Sequence, residues 1–217
     1  MSLRSSAIKL AVICEVICIA PAIADERDWS GFYAGAHVGY GWSRYKDQDS
    51  VDAKGLLGGL HGGYNWQFEK FVSGVEVDLN ISDIKWSEQI ANPPNDYNAK
   101  AVSKYFGSLR ARLGYDLGPA LIFGTVGGAW RRWEYDVAFT STGKSFSGTS
   151  NGLGAVIGGG TEYKITDKLI GRISGSYYYF PSSKISFTSN NMNVSAASSS
   201  GLTESMFLLE TGLSWKF

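Results

Sequence analysis

The chain has 217 residues, 27 of them glycine and only 5 proline, with 14% aromatic residues and a formal net charge of zero. That length suits one domain, and the glycine and aromatic content suits closely packed strands rather than a helical bundle. The balanced charge leaves no basic stripe for nucleic acid and no acidic tail.

The opening stretch, MSLRSSAIKLAVICEVICIAPAIADERD, has the parts of a secretory signal. Arg4 and Lys9 precede an apolar run from Leu10 to Ile19, interrupted by Glu15, and Ala22-Ile23-Ala24 offers a cleavage site after Ala24. The run is too short to span a bilayer as a helix, which takes about 20 apolar residues. The expected organisation is a signal peptide over 1–24 and one domain over 25–217. Cys14 and Cys18 both fall in the signal, with no small residue of the lipoprotein type before either. The mature chain is therefore expected to hold no lipid anchor, disulfide or thiolate metal site.

Period-two alternation, the strand signal, recurs eight times in the rest of the chain, near 31–42, 55–68, 71–85, 100–116, 120–136, 151–165, 169–180 and 202–217. Most of these segments exceed the usual five or six residues of a globular strand and are long enough to cross a bilayer obliquely. Short connections (Glu69-Lys70, Leu117-Gly118-Pro119, Thr166-Asp167-Lys168) alternate with long polar ones such as SRYKDQDSVDAK, SEQIANPPNDYN and VAFTSTGKSFSGTS. Short turns at one end and long loops at the other are the pattern of an outer-membrane barrel.

The two faces of each strand differ. In the first, Phe32, Ala34, Ala36, Val38, Tyr40 and Trp42 oppose Tyr33, Gly35, His37, Gly39 and Gly41. In the fourth, Tyr105, Leu109, Leu113 and Tyr115 oppose Lys104, Ser108, Arg110 and Arg112; in the last, Phe207, Leu209, Leu213, Trp215 and Phe217 oppose Glu210, Gly212, Ser214 and Lys216. The fifth is apolar on both faces from Leu121 to Val126 and is phased by Arg132 and Glu134 as its lumenal end. An arginine aimed at mid-bilayer lipid costs about 2–4 kcal/mol, so the charged face must point inward. Hydrocarbon supplies no hydrogen bonds, so the sheet must close. The fold read from this is all-β, an eight-stranded antiparallel up-and-down transmembrane barrel.

Closing the sheet at Glu69-Lys70 sets His61 opposite Asp78 and closing it at Thr166–Lys168 sets Glu162 opposite Arg172, while pairing the third strand with the fourth and the seventh with the eighth puts Glu76 near Arg110 and Arg172 near Glu210. An eight-strand barrel is wide enough only for side chains to fill it. The expectation is a lumen stopped by ion pairs among Glu76, Asp78, Lys104, Arg110, Arg112, Arg132, Glu134, Glu162, Arg172 and Glu210. His37 and His61 also face the lumen; with Asp78 they could ligate a metal, but a hydrogen-bonded row is the plainer reading, and no cofactor is expected. The glycine clusters GLLGGLHGG and GAVIGGGTEY do not lead from a strand into a helix, so they are not phosphate loops; they thin the wall for large neighbours or let it bend. Trp42, Trp66, Tyr115, Trp133 and Trp215 fit interfacial girdles. No nucleophile, histidine and acid converge, so no enzyme is expected.

Four stretches, WSGFYAGAHVGYGWS, SGVEVDLNIS, GSLRARLGYDLGP and LETGLSWKF, resemble the outer-membrane β-barrel porin-like family of small alphaproteobacterial surface proteins, relatives of the OmpA barrel and of opacity proteins. The resemblance implies an eight-stranded barrel in the Gram-negative outer membrane with exposed loops. It also implies that Phe217, with Leu209, Leu213 and Trp215 on the same face, serves as the signal read by the barrel-assembly machinery. The chain departs from the family in the short segment from Asp25 to Ser30 and in GSYYYF on the seventh strand, where relatives often carry Glu-Tyr-Arg-Tyr. The partners expected are outer-membrane lipid and lipopolysaccharide, with a host or surface ligand left open. The role expected is structural support of the envelope; a narrow pore for ions or small solutes is the alternative, and an adhesin acting through 181–201 the third reading.

Overall fold

The computed structural model describes residues 28–46, 50–90, 97–139, 145–181, 186–189 and 203–217. The expected signal segment and its expected cleavage position lie outside the described residues. Among the described residues nine strands follow in chain order: β1 Gly31–Lys46, β2 Ser50–Phe68, β3 Phe71–Ile90, β4 Tyr97–Asp116, β5 Ala120–Phe139, β6 Ser145–Lys164, β7 Leu169–Phe180, β8 Ser186–Ser189 and β9 Thr203–Lys216. Each wall strand pairs antiparallel with the next, and β1 pairs with β9, so β1–β7 and β9 close into an eight-stranded ring. β8 is an addition to this plan: its four residues pair with Phe146–Thr149 of β6, beyond the point where β7 stops.

The polar connections carry more strand than the sequence suggests. The β1–β2 ladder runs out to Lys46 and Ser50, β3–β4 to Ile90 and Tyr97, and β5–β6 to Ala138 and Ser145. Outside the bilayer both faces of a hairpin meet water, so alternation disappears from the sequence while backbone groups still take ladder partners. Strands of 20 residues reach about 65 Å at the usual rise, far past the 9–11 residues that cross a membrane.

The outer face is apolar. Leu109, Leu113, Val126, Ile157, Ile173 and Leu209 are all exposed there. Trp66, Tyr115 and Trp215 stand near the short-turn end, and Trp42, Tyr105 and Tyr177 near the opposite end; the Trp133 side chain lies outside the described residues. Two aromatic bands flanking an aliphatic belt match the girdles of a lipid-embedded barrel.

At the short-turn end, Glu69 adopts a left-handed backbone with φ of 54°, in a two-residue turn that glycine or asparagine more often fills.

Candidate functional site

The interior side chains stack in layers along the barrel axis. Nearest the short turns, Trp29, Val72, Leu121 and Ile170 form a buried apolar cluster. Trp29 precedes β1 and tucks under it: its backbone N–H donates to Gln67 Oε1 at 2.6 Å, and its indole N–H to Asp116 Oδ1 at 3.2 Å. Outside this cluster, burial is the largest single influence on the Asp28 carboxyl and pushes it up, but the Ser30 N–H and hydroxyl and the Lys216 ammonium together outweigh it and hold the group below its ordinary range.

Above the cluster lies a four-charge set. Arg172 Nη1 and Nη2 donate to Glu76 Oε2 and Oε1 at 2.6 and 2.9 Å, a two-pronged contact of the strong kind. β3 and β7 are four strands apart in the eight-strand ring, so this pair crosses the lumen from wall to wall. Arg112 donates to Glu162 through both Nη atoms, at 2.9 Å for Nη1, and reaches Glu76 Oε2 at 3.4 Å. Tyr33 O–H donates to Glu76 at 2.8 Å. Both guanidiniums also lie over the Phe123 ring, at 4.2 and 4.7 Å from its centroid.

A second polar layer follows. Arg110 donates to Ser108 at 2.6 Å, Ser176 at 3.1 Å, Asp78 Oδ1 at 3.3 Å and the Tyr178 hydroxyl. His37 and His61 meet through their Nδ1 atoms at 3.2 Å. His37 Nε2 lies 2.7 Å from Asn80 Oδ1, and His61 Nε2 lies 2.7 Å from Ser214 Oγ. Glu210 Oε1 stands 3.4 Å from His37 Nε2. Each imidazole lies over a glycine of the neighbouring strand. A Cβ on Gly35 would come within 2.7 Å of His61 Nε2, and one on Gly59 within 2.6 Å of His37 Nε2. Gly59 of GLLGGLHGG and Gly35 of β1 therefore make room for the histidines, and Gly63 makes room for Tyr33.

A larger apolar cluster lies above these layers and includes Leu57, Ile84, Phe106, Tyr178, Phe180 and Leu208. Beyond it Arg131 pairs with Glu204, which also accepts from Ser43.

Two residues expected in the lumen are not there. Lys104 is exposed, because the ladder to β5 runs from Ser103 to Tyr105 and skips it, and the same place opposes Ser82 and Asp83 on β3. The bulge turns Lys104 off the inward face. Arg132 is also exposed, and Arg131, 7% exposed, takes the inward place. Leu121, Phe123, Thr125 and Ala129 are buried, which sets the phase of β5 one residue away from the phase its polar end suggests. The Glu134 side chain lies outside the described residues.

Two expected pairings also change. Glu76 faces Arg110 in register, but its ion pairs are with Arg172 and Arg112, while Arg110 goes to Asp78. Arg172 faces Glu162 in register and lies 3.7 Å from it, but Glu210 faces Ser174, and its close ionisable neighbour is His37. In a lumen this narrow, long side chains bridge across as readily as they pair along the wall. His61 stands opposite Asp78 in the β2–β3 register. Alternation places Tyr33 on the inward face but does not signal its bond to Glu76, and the sequence carries no sign that Arg131, Glu204 and Trp29 point inward. The tryptophan of WSGFYAG was visible as part of the strand opening, but nothing local shows that it folds inward.

Residues 10–200 match the family model described as outer membrane protein beta-barrel domain. The chain is 31% identical to a 25 kDa outer-membrane immunogenic protein of Brucella canis over 157 residues, 71% of this chain and 67% of that protein. It is 30% identical to the Brucella ovis protein of the same description, covering 71% of each. Among solved structures, the outer membrane protein OprG from Pseudomonas aeruginosa superimposes with a TM-score of 0.51 at 15% identity, over 89% of this chain and 99% of that one.

Proposed function

The chain belongs to the outer-membrane β-barrel domain family, and from that premise we propose that it is a structural, surface-facing barrel that supports the envelope, its lumen stopped by paired charges. The observation that carries this reading is the stacking of the interior. Glu76, Arg110, Arg112, Glu162 and Arg172 are each 7% exposed or less, and a buried apolar cluster lies on either side of them along the axis. A conducting pore needs a continuous wet path, whereas buried charges matched to partners need none.

The same reading makes the protein a non-enzyme. Both histidines are buried inside, at 7% and 5% exposed, away from Ser73 on the outer face. Leu209, Leu213, Trp215 and Phe217 lie exposed along the lipid-facing side of β9 and its end; this supports their reading as an assembly signal and outer-membrane lipid as the barrel's solvent. The adhesin reading rests on 181–201, of which only Pro181 and Ser186–Ser189 are among the described residues.

The test is single-channel recording of the refolded protein in a planar bilayer. The expected wild type is silent, and Arg110→Ala, which unseats four contacts at once, flickers or leaks. Steady wild-type openings whose ion selectivity shifts in Arg110→Ala overturn the structural reading in favour of a narrow pore.

A further inference from the structure

The middle of the barrel holds four acids, Glu76, Asp78, Glu162 and Glu210, against three arginines. Arg112 and Arg172 serve Glu76 and Glu162, and Arg110 serves Asp78 through Oδ1. Glu210 is the acid left over. It is 6% exposed, and its Oε1 is buried with no hydrogen-bond partner among the described residues. The residue that carries this oxygen lines a cavity of about 10 Å³ together with His37 and Asp78. Such an atom is costly unless something approaches it.

The spacing indicates what approaches. His37 Nε2 stands 3.4 Å from Glu210 Oε1 and 3.7 Å from Asp78 Oδ2, and one ligand atom from each of the three lies within 4.8 Å of the others. Two ligands bound at about 2.0–2.1 Å to a tetrahedral zinc ion sit about 3.4 Å apart. We propose that His37, Asp78 and Glu210 bind a single divalent transition-metal ion inside the barrel. One imidazole and two carboxylates suit zinc, manganese or ferrous iron. Adding a divalent ion to four acids and three arginines turns a net charge of −1 into +1, with Arg110 still on Asp78 Oδ1 and the ion on Oδ2. The proposal is independent of whether the barrel conducts.

Binding requires His37 Nε2 to give up its proton, and the neighbouring groups accommodate this. Asn80 Nδ2 donates to Asp78, which turns Asn80 Oδ1 toward His37 Nε2, so in this arrangement Nε2–H is the donor. When the ion takes Nε2, the His37 proton moves to Nδ1 and is donated to His61 Nδ1. The His61 proton moves to Nε2 and is donated to Ser214 Oγ. The two rings hold two protons before and after, and no proton is released. Asn80 Oδ1 then becomes available as a fourth oxygen. A hydrogen-bond acceptor behind the ligand that fixes its tautomer is usual at metal histidines, and His61 Nδ1 takes that place here.

The ion lies between two apolar clusters, so it enters as the barrel folds. The test refolds the untagged full chain in detergent, with Cys14 and Cys18 alkylated beforehand, in zinc or in chelator. Free metal is then removed, and zinc is counted per barrel that shows heat-modifiable mobility. One zinc per wild-type barrel is expected, falling at least tenfold in Glu210→Gln and in His37→Gln. If a variant does not fold, X-ray absorption of the wild-type zinc decides: one imidazole nitrogen with oxygen neighbours supports the site, and two or more imidazoles or any other ligand set overturns it. Wild-type barrels without stoichiometric zinc, or a folded Glu210→Gln barrel that binds as wild type does, also overturn it.

Discussion

Replacing Glu76 with glutamine keeps the shape of the side chain and removes its charge. Glu76 accepts two bonds from Arg172, one from Arg112 and one from the Tyr33 hydroxyl, at 1% exposure. Before the change two guanidiniums face two carboxylates; afterwards they face Glu162 alone, and one buried cation is uncompensated. Removing one partner of a buried pair costs about 3–5 kcal/mol. With a urea slope of about 2 kcal/mol per M, the unfolding midpoint should fall by about 2 M. Tryptophan fluorescence and gel mobility of the barrel in lipid vesicles read this directly. Adding Arg172→Gln restores the count, Arg112 against Glu162. The double variant should therefore be more stable than the two single losses summed would make it, by at least about 1 kcal/mol, the scale of coupling between contacting residues. A Glu76→Gln loss under about 1 kcal/mol, with additive behaviour in the double variant, would refute the reasoning, because it would mean that water already serves these charges.

Arg131→Met should cost about 3–5 kcal/mol by leaving Glu204 buried without its cation, while Arg132→Ala on the exposed face stays within about 0.5 kcal/mol; urea unfolding of both checks the phase of β5. Gly59→Ala drives a methyl toward His37 and Asn80 and should lose about 1–3 kcal/mol by overpacking, read in the same assay. Trp29→Ala empties the buried end cluster and should lose about 3–5 kcal/mol, with faster proteolysis near the N-terminus as a second readout. The Asp28 carboxyl sits below its ordinary range, so its contribution is complete above about pH 4 and is lost as pH falls through its folded value. Asp28→Asn should flatten the stability profile between pH 2 and 5.

The alternation of Leu109, Leu113 and Tyr115 with Arg110 and Arg112 is local, and it sorted inside from outside without any tertiary knowledge. Two-residue and three-residue turns likewise fix register along the wall, so His61 against Asp78 could be read off the chain. Partners across the lumen could not. Arg172 meets Glu76 only because eight strands close into a narrow ring, and no sequence spacing encodes that distance. The phase of β5 was ambiguous because both faces are apolar near its start. The Lys104 bulge leaves no mark, since one extra residue in a polar stretch looks like any other. Glu210 and His37 meet only across the ladder that closes the ring between the first and last wall strands.

That ladder also limits how the barrel can be put together. From Gly35 to Gly41 every inward pair between β1 and β9 sets a glycine against a larger residue: Gly35 with Ser214, His37 with Gly212, Gly39 with Glu210, Gly41 with Leu208. A slip of two residues in one direction brings His37 against Ser214, and in the other against Glu210. Either slip leaves a glycine facing a glycine and a gap in the wall beside a crowded pair. The closing seam thus checks its own alignment, and a barrel joined one step out of place is marked by both a hole and a clash.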